Sequence, residues 1–351
     1  MAKQSGKLDL STLAYYGRNF IKYGAIGLVF FMVARFTFTA AWQLYRSLNP
    51  PGPPPPTMGF GQLPEIVFPQ QTNDERPVEF VLETVGQRFP SFPSQLPVYE
   101  VPAFVPDLLA LDRAKQHAAQ LGFLFEPEKI STQIYRWRQR SPFPASLEIN
   151  IVNNTYQMQS DWASSVELLD KKFIPDERQA ASELRTILRN LDLASPDVAT
   201  TTPKITYLRA LAGETRQVSS INEADFVQAD IYRITPSGLL AITHQANHGV
   251  IRAVFSGSRQ VGERLLSFTS NYFPVNWSRP ETYPTQTAQQ AWNQLVAGEG
   301  YVVNPVVGDK AVVRYVYLAY FEPLEPGTFF QPVYVFEGDN GFQAIVSAID
   351  Y

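Results

Sequence analysis

Hydrophobic residues concentrate first in one long run near the start of the chain. From Phe20 to Leu44 the sequence is mostly apolar, and its charged residues are Lys22 and Arg35. These 25 residues would extend about 37 Å as a helix, more than the ~30 Å hydrocarbon core of a bilayer. Aromatic residues mark both ends of the run, as at membrane interfaces: Tyr15, Tyr16, Tyr23, Trp42 and Tyr45. The pattern predicts a single transmembrane helix over 20–46, and the alternative is a helix buried in a protein core.

Arg35 is the residue that opposes insertion of this run. An arginine at the centre of a membrane helix costs about 2.5–3.5 kcal/mol, whereas each Ile, Leu, Val or Phe returns about 0.3–0.6 kcal/mol. Nine such residues lie between positions 24 and 44, so insertion remains favourable. Arg35 then either extends toward the lipid headgroups or meets a polar or acidic group on a partner helix. It is the candidate contact to a membrane partner.

The orientation follows from the distribution of basic residues. The stretch GAIGLVFFMVA could be the apolar part of a cleaved signal peptide, but Arg35 stands where a small-residue cleavage site would be needed. An uncleaved signal-anchor is therefore favoured. Four basic residues precede or open the span and only Arg46 directly follows it, which predicts a cytoplasmic tail over 1–19 and an extracytoplasmic remainder.

Proline dominates the segment that follows the apolar run. NPPGPPPP at 49–56 would reach about 25 Å in the polyproline II conformation, and we interpret 47–64 as a stiff linker that holds a folded body away from the lipid. Residues 65–106 contain further prolines around the short runs VEFVLETV and LPVYEVPAF. Such prolines favour sheet edges, so this part is predicted to be an extended lead-in lying along the next module.

Three units, each a helix followed by strands, fill the rest of the chain. The helix of the first unit, 107–160, begins near Asp107 as the N-cap, with Leu108 and Ala114 on its apolar stripe. The second unit is 161–284, and the third is 285–351, whose helix ends at Gly298. The predicted fold class is therefore α+β: a single N-terminal transmembrane helix, a Pro-rich linker, and repeated modules of one helix against an antiparallel sheet.

The third unit shows the clearest strand pattern. In AVVRYVYLAYF, Val313 and Tyr317 would face one way and Val316 the other, and both faces are largely apolar or aromatic. One face should cover the helix of its own unit, and the other needs a neighbouring module or a partner. The candidate interface aromatics are Trp42, Tyr315, Tyr317 and Tyr320.

Composition and charge exclude several classes of protein. With 351 residues, 45% of them apolar, the chain can form substantial cores. The first 46 residues hold six of the 29 basic and one of the 33 acidic residues, which leaves 23 basic and 32 acidic beyond them. An acidic body of this kind disfavours nucleic acid as a partner. Cysteine is absent, which excludes disulfides, thiolate metal sites and a cysteine nucleophile.

Candidate chemistry is sparse, and no cofactor is expected. His244 and His248 are four residues apart in THQANH, but they follow a strand and no carboxylate separates them, which makes a weak zinc signal. Two acidic pairs could in principle serve glycoside hydrolysis, although strand-edge and turn positions explain them better: Asp225 with Asp230, and Glu322 with Glu325. Four tryptophans could stack on sugars, but core positions are the commoner use of tryptophan: Trp137, Trp162, Trp277 and Trp292. We expect no enzyme.

A family resemblance rests on the last unit. AWNQLVAGEGYVV followed by VYLAYFEPLEPGTFFQPVYVFEGD resembles the C-terminal part of YycH/YycI-type proteins, and the unit as a whole resembles a PepSY-type module. The likeness covers the anchor layout and the last 65 or so residues, and it rests on a strand signature: Tyr320, Pro332, Val333, Tyr334 and Phe336. It implies a single-pass bacterial membrane protein that acts as an accessory regulator of a cell-wall-sensing histidine kinase.

Together these features predict a non-enzymatic membrane protein at the cell envelope. Its extracytoplasmic modules would bind a protein partner, and its helix would sit in the lipid bilayer. The alternative is a receptor for a cell-wall polymer or a small ligand, and an envelope hydrolase is the least favoured interpretation. A hydrolase would need a pocket that holds two carboxylates, or His244 and His248 together with an acid.

Overall fold

A computed structural model describes residues 10–48, 54–71, 79–84, 86, 88–105, 107–306 and 308–351. Much of the predicted tail, part of the proline linker and part of the lead-in lie outside the described residues: 1–9, 49–53 and 72–78. The chain divides into two compact units, one up to Pro55 and one from Pro56 onward. The α+β class is confirmed.

The first unit contains one long helix, α1, over Leu10–Leu48. In the sequence α1 is followed by Asn49-Pro50, and a proline disfavours helical geometry in the residue before it. The segment Leu13–Leu48 has a mean hydropathy of up to 1.7 and none of that window is buried, so α1 is long and apolar enough to cross a membrane. The Thr37 hydroxyl donates to the Val33 carbonyl oxygen at 3.0 Å, which satisfies a polar group inside the apolar run.

A nine-stranded antiparallel sheet forms the larger part of the second unit. In chain order its strands are β3 Glu128–Lys129, β4 Ile134–Gln139, β5 Ala145–Asn150, β6 Thr155–Ser160, β7 Lys204–Leu211, β8 Glu214–Val218, β9 Phe226–Ile231, β11 Ile251–Ser256 and β12 Leu265–Ser270. Their spatial order is β3-β4-β5-β6-β12-β11-β9-β7-β8. The strands predicted within 107–160 thus join most of those predicted within 161–284 in one continuous sheet, whereas Ala241–Thr243 of the second unit pairs in a different sheet. The module boundaries stay a prediction.

One face of this sheet packs against helices. They are α2 Ala110–Gln120, α3 Glu177–Asn190 and the short α4 Pro196–Ala199. The strands alternate buried and exposed residues, and their buried side forms a core with the apolar stripe of α3, including Leu184 and Leu188. Asp176 caps α3, since its side chain accepts from the Gln179 amide at 2.8 Å.

The start of α2 differs from the prediction. Asp107 precedes the helix instead of capping it: its carboxylate accepts from the Leu109 amide at 3.0 Å, and the N-cap position is Leu109. Leu108, predicted on the apolar stripe, is fully exposed because it lies in the turn before the helix, whereas Ala114 is buried as predicted. The predicted cap was thus two residues too early, and Leu108 lies outside the helix for that reason.

A second sheet and a small third one complete the unit. Their strands are β1 Glu79–Leu82, β2 Gln95–Glu100, β10 Ala241–Thr243, β13 Asn276–Pro284, β14 Tyr301–Asn304, β15 Lys310–Glu322, β16 Phe329–Phe330, β17 Pro332–Gly338 and β18 Gln343–Ser347. The six-stranded sheet runs β1-β15-β17-β18-β14, with β10 also paired to β15, and the three-stranded sheet runs β13-β2-β16. Helix α5, Ala288–Ala297, packs on the six-stranded sheet and ends at Gly298, whose φ of 90° supports the predicted stop.

The lead-in does not lie along the module that follows it in sequence. Its strand β1 pairs in parallel with β15, and β2 pairs with β13 and β16. All three partner strands belong to the last quarter of the chain. The early prolines therefore mark strands that return to the C-terminal sheets, an arrangement that local sequence does not specify.

The alternation along β15 also differs from the prediction at one point. Pairing with β17 skips Arg314 between Val313 and Tyr315, which marks a β-bulge. Val313 therefore joins Val316 in the core beneath α5, instead of facing the same way as Tyr317. From Val316 onward both faces of β15 are covered within this unit, because Ile66, Phe68 and Ile242 pack over its other face.

Candidate functional site

The face of the nine-stranded sheet opposite α2 and α3 carries polar side chains in ordered rows. Directly paired residues in antiparallel strands share a face. The pairing therefore places one row across six strands, and a second row lies beside it. The first row is Arg136, Glu148, Gln157, Thr269, Arg252 and Asp230, and the second contains Ser146, Gln159, Ser267, Val254 and Gln228.

A cleft of about 500 Å³ opens over the centre of these rows. Strands β6, β12 and β11 form one side, and the loop after β10 and the chain at the end of β15 line the rest. The volume lies within the ~300–1,000 Å³ of small-molecule sites. Most of its polar lining residues are uncharged: Gln157, Gln159, Thr243, Gln245, Ser267, Thr269 and Asn271.

Arg252 is the basic residue of this lining, and a network fixes it in place. Its Nε donates to Asp230 Oδ1 at 2.7 Å, one terminal nitrogen contacts His248 Nε2 at 2.5 Å, and the other donates to the Asn247 carbonyl oxygen at 2.5 Å. Asp230 also accepts from the Gly249 amide at 2.9 Å and from the Gln228 side chain at 2.7 Å. The pair is therefore well satisfied.

The two histidines of THQANH both line this cleft. Burial, together with the neighbouring Arg252 charge, lowers the pKa of His248 to about 4, and burial lowers the pKa of His244. Both rings are neutral at pH 7. Because arginine can only donate, His248 Nε2 must accept, and the ring proton lies on Nδ1. Within the described residues, no group of three or more His, Asp or Glu side chains could hold a metal ion.

Behind the cleft lies a buried ionic cluster that sequence reasoning did not find. Arg233, which follows β9, is completely buried, and its Nε lies 2.9 Å from Glu322 Oε1 and 3.4 Å from Asp197 Oδ2. One terminal nitrogen of Arg233 donates to the Phe273 carbonyl oxygen at 2.7 Å. The guanidinium also lies over aromatic rings, with its carbon 4.5 Å from the centroid of Tyr272.

The sequence suggested that Glu322 is a strand-edge or turn residue, but the structure buries its side chain at the end of β15. Its side chain is 3% exposed, and burial raises its pKa to about 7 against the opposing charge of Arg233. A signal existed in the sequence, because Glu322 directly ends a long apolar strand and a charge in such a place requires a partner. The sequence did not show that Arg233 would be that partner.

An apolar groove of about 470 Å³ lies on the other side of the turn after β15. The extended segment Pro64–Pro69 forms one wall and the turn from Pro323 to Phe329 forms the other. Val67 in this groove is 85% exposed and Leu324 is also exposed. Pro323 and Leu324 line both the groove and the cleft, so a single turn separates the two.

The predicted interface residues fall into three environments. Arg35 and Trp42 are exposed along α1, where their contact with a membrane partner stays a prediction. Tyr315 is exposed on β15, whereas the Tyr317 hydroxyl donates to Glu337 at 3.0 Å within the fold. Tyr320 is completely buried and stacks on Phe330, so it acts in the core here.

The other predicted chemical residues are scattered. Asp225 pairs with Lys172 at 3.0 Å and lies apart from Asp230, which belongs to the Arg252 network. None of the four tryptophans lines the cleft in the described structure. Trp137 is buried in the core between the sheet and the helices, and the other three pack against hydrophobic clusters. The combination of His244, His248 and Glu322 that a hydrolase would need does line the cleft, but His248 Nε2 and Glu322 are already engaged by arginines.

Comparisons with known proteins identify no family. No protein-family model and no curated protein matches the chain. It is similar to the crystal structure of an uncharacterized protein from Eubacterium rectale, at 11% identity and a TM-score of 0.41, covering 73% of this chain and 85% of that chain. It is also similar to the YpeB C-terminal domain of Bacillus megaterium, at 10% identity and a TM-score of 0.29, covering 71% of this chain and 95% of that chain. Membership of the YycH/YycI-type proteins is not shown.

Proposed function

We propose that this chain is a membrane-anchored extracytoplasmic binding protein that recognises a protein partner and is not an enzyme. Helix α1 supplies the anchor. Four basic residues precede or open its apolar run and only Arg46 directly follows it, which favours a cytoplasmic N-terminus. The observation that carries the partner hypothesis is the groove between Pro64–Pro69 and the turn after β15. Its exposed apolar side chains are typical of surfaces that bind other proteins. A role as accessory regulator of a membrane sensor kinase is the specific form that the family resemblance suggests.

The orientation can be tested with single cysteines, because the chain contains none of its own. Val261→Cys, at a highly exposed position of the sheet-rich unit, should react with a membrane-impermeant maleimide in intact cells. Ser5→Cys, in the predicted cytoplasmic tail, should react only after lysis. The opposite labelling pattern would place the sheet-rich unit inside the cell and exclude the proposal.

The partner can be sought by photocrosslinking in the native host. A photoreactive amino acid at Val67 should capture one protein reproducibly, because this side chain projects into the groove region and is exposed. The same amino acid at Val261, which is exposed outside the groove, serves as the matched control. Identical sets of captured proteins from the two positions would argue against a partner in the groove.

A second candidate function, a receptor for a cell-wall polymer or small ligand, is favoured by the polar cleft. Its size and its uncharged hydrogen-bonding groups suit a small polar ligand. Purified cell wall should then sediment the full chain, held in detergent, and release no soluble fragments. A chain that remains in the supernatant would exclude wall binding, and release of fragments would indicate the hydrolase instead.

A further inference from the structure

We propose that the polar cleft binds a neutral saccharide of one or two rings through Gln157, Gln159, Ser267 and Thr269. The inference deepens the receptor hypothesis and rests on it. It is independent of a partner in the apolar groove.

The four proposed contacts form a compact grid. Thr269 is paired with Gln157, and Ser267 with Gln159, on adjacent strands β12 and β6. All four side chains therefore share one face. They make no side-chain hydrogen bond to any residue that the structure describes. Each hydroxyl or amide can both donate and accept, which matches the mixed donor and acceptor character of sugar hydroxyls.

The charge of the cleft argues for an uncharged ligand. Among the described lining residues, Arg252 and Glu322 are the ones charged in water at pH 7. Each of the three Arg252 nitrogens already has a partner, and Asp230 neutralises its charge. Glu322 is buried against Arg233. An anion would have to share Arg252 with Asp230, and a cation would have to share Glu322 with Arg233.

The position of the cleft within the sheet argues against a peptide. Strands β6, β12 and β11 are each paired on both sides, so they offer no free backbone groups for strand addition, which requires a sheet edge. Side chains alone remain available on this floor. Pro323 and Leu324 also line the cleft, and their apolar surface can cover the C–H face of a sugar ring.

The test is a binding titration with the full chain in a detergent that has no sugar headgroup. The neutral probes are cellobiose and N,N′-diacetylchitobiose, the charged ones are chitobiose and digalacturonic acid, and a blocked alanine dipeptide represents peptides. Saturation-transfer NMR and calorimetry should show saturable binding of at least one neutral disaccharide. The charged probes should bind at least about tenfold more weakly, because a charge would lose its hydration and gain only a counter-ion that is already paired within the fold.

Two matched double variants localise the binding. Gln157→Leu with Thr269→Val should weaken neutral disaccharide binding at least about tenfold. Gln217→Leu with Thr215→Val makes the same chemical change on the exposed edge strand β8 and should leave it unchanged. The inference is overturned if neither neutral disaccharide binds up to its solubility limit, if a charged probe binds as well, or if both variants behave alike. If only the dipeptide binds, and the Gln157→Leu, Thr269→Val variant loses that binding, the saccharide is excluded as the ligand while the receptor function stands.

Discussion

Two arginines of the nine-stranded sheet region pair with carboxylates in opposite ways. Arg252 is 14% exposed, and each of its nitrogens has a well-placed partner, while Asp230 accepts from two further donors. Arg233 is completely buried between Asp197 and Glu322, yet its Nε and one terminal nitrogen make no well-aligned hydrogen bond to the described residues. The first pair is satisfied at the edge of water, and the second depends on charge and aromatic contact in a dry site.

The difference shows how similar pairs serve different purposes. Arg252 and Asp230 lie in one row of a single sheet, where they keep the cleft floor neutral and ordered. Arg233 instead joins separate elements, because Asp197 lies on α4 and Glu322 ends β15 in the six-stranded sheet. A buried pair can be neutral in its net contribution while the loss of one partner is strongly destabilising. Arg233 should therefore matter most for cohesion of the fold.

The largest effect is expected from Arg233→Met. Methionine keeps the approximate length of the side chain but leaves two carboxylates buried without a counter-ion, which should lower the free energy of unfolding by about 3–5 kcal/mol. Urea unfolding of the full chain in detergent, followed by tryptophan fluorescence, measures it, since Trp137 is buried in the core. Arg279→Met, at an exposed position, is the control and should change stability by less than about 0.5 kcal/mol. Equal effects would mean that the cluster does not join the sheets.

Glu322→Gln should remove a dependence of stability on pH. Burial raises the pKa of Glu322 to about 7, above its value of about 4.5 in an unfolded chain, so the folded state holds the proton more tightly. Its contribution is fully present below about pH 4.5 and is lost as pH rises toward 7, by about 3 kcal/mol. The difference in unfolding free energy between wild type and variant should fall by that amount over this interval.

That difference isolates Glu322 from the histidines. Burial lowers the pKa values of His117, His244 and His248, so their contributions rise with pH over a similar range and partly cancel that of Glu322 in the wild type. The histidines are present in both proteins and drop out of the subtraction. A difference that stays constant from pH 4.5 to 7.5 would contradict the raised pKa.

The periodicity of the sequence was sufficient to predict local structure, but it could not predict the polar cleft. The apolar run predicted a helix over 20–46, and α1 contains it. Alternation in TYQMQSD already separated Met158, which is buried, from Gln157 and Gln159, which are exposed. The grid with Ser267 and Thr269 could not be predicted, because β6 and β12 meet across more than a hundred residues of sequence and periodicity does not specify which strands pair.

The buried cluster of Arg233, Asp197 and Glu322 could not be predicted from the sequence either, although its charged residues are conspicuous there. Arg233 in ADIYRIT and Glu322 after VYLAYF each stand beside apolar strand residues. Such charges signal a need for partners, but several acidic residues were available to Arg233. Only the parallel pairing of β10 with β15 shows how the chain after β9 reaches the end of β15.

Arg252→Met should have an intermediate effect. Asp230 loses its counter-ion but keeps the Gly249 amide and the Gln228 side chain as donors, so we expect a loss of about 2 kcal/mol in unfolding free energy. His248 loses the donor to its Nε2 and the charge that helps to lower its pKa. The pKa of His248 should therefore rise, as measured by NMR titration. If Arg252→Met lowered the unfolding free energy as much as Arg233→Met, then neither the exposure of Arg252 nor the remaining donors to Asp230 would reduce the cost of losing the arginine.

The smallest effect is expected for Arg136, which lies in the same row as Arg252 but farther from the centre. Its Nε donates to Glu148 at 2.7 Å, and the side chains are 29% and 34% exposed. Because water screens such pairs, Arg136→Met should lower the free energy of unfolding by only about 0.5 kcal/mol. Raising the salt concentration to about 1 M should reduce this difference further, while that of Arg233→Met should persist. Measured together, the Met variants of Arg233, Arg252 and Arg136 test whether burial, and not the type of pair, decides how much each arginine stabilises the fold. A loss of unfolding free energy above about 1.5 kcal/mol for Arg136→Met would contradict the expected order.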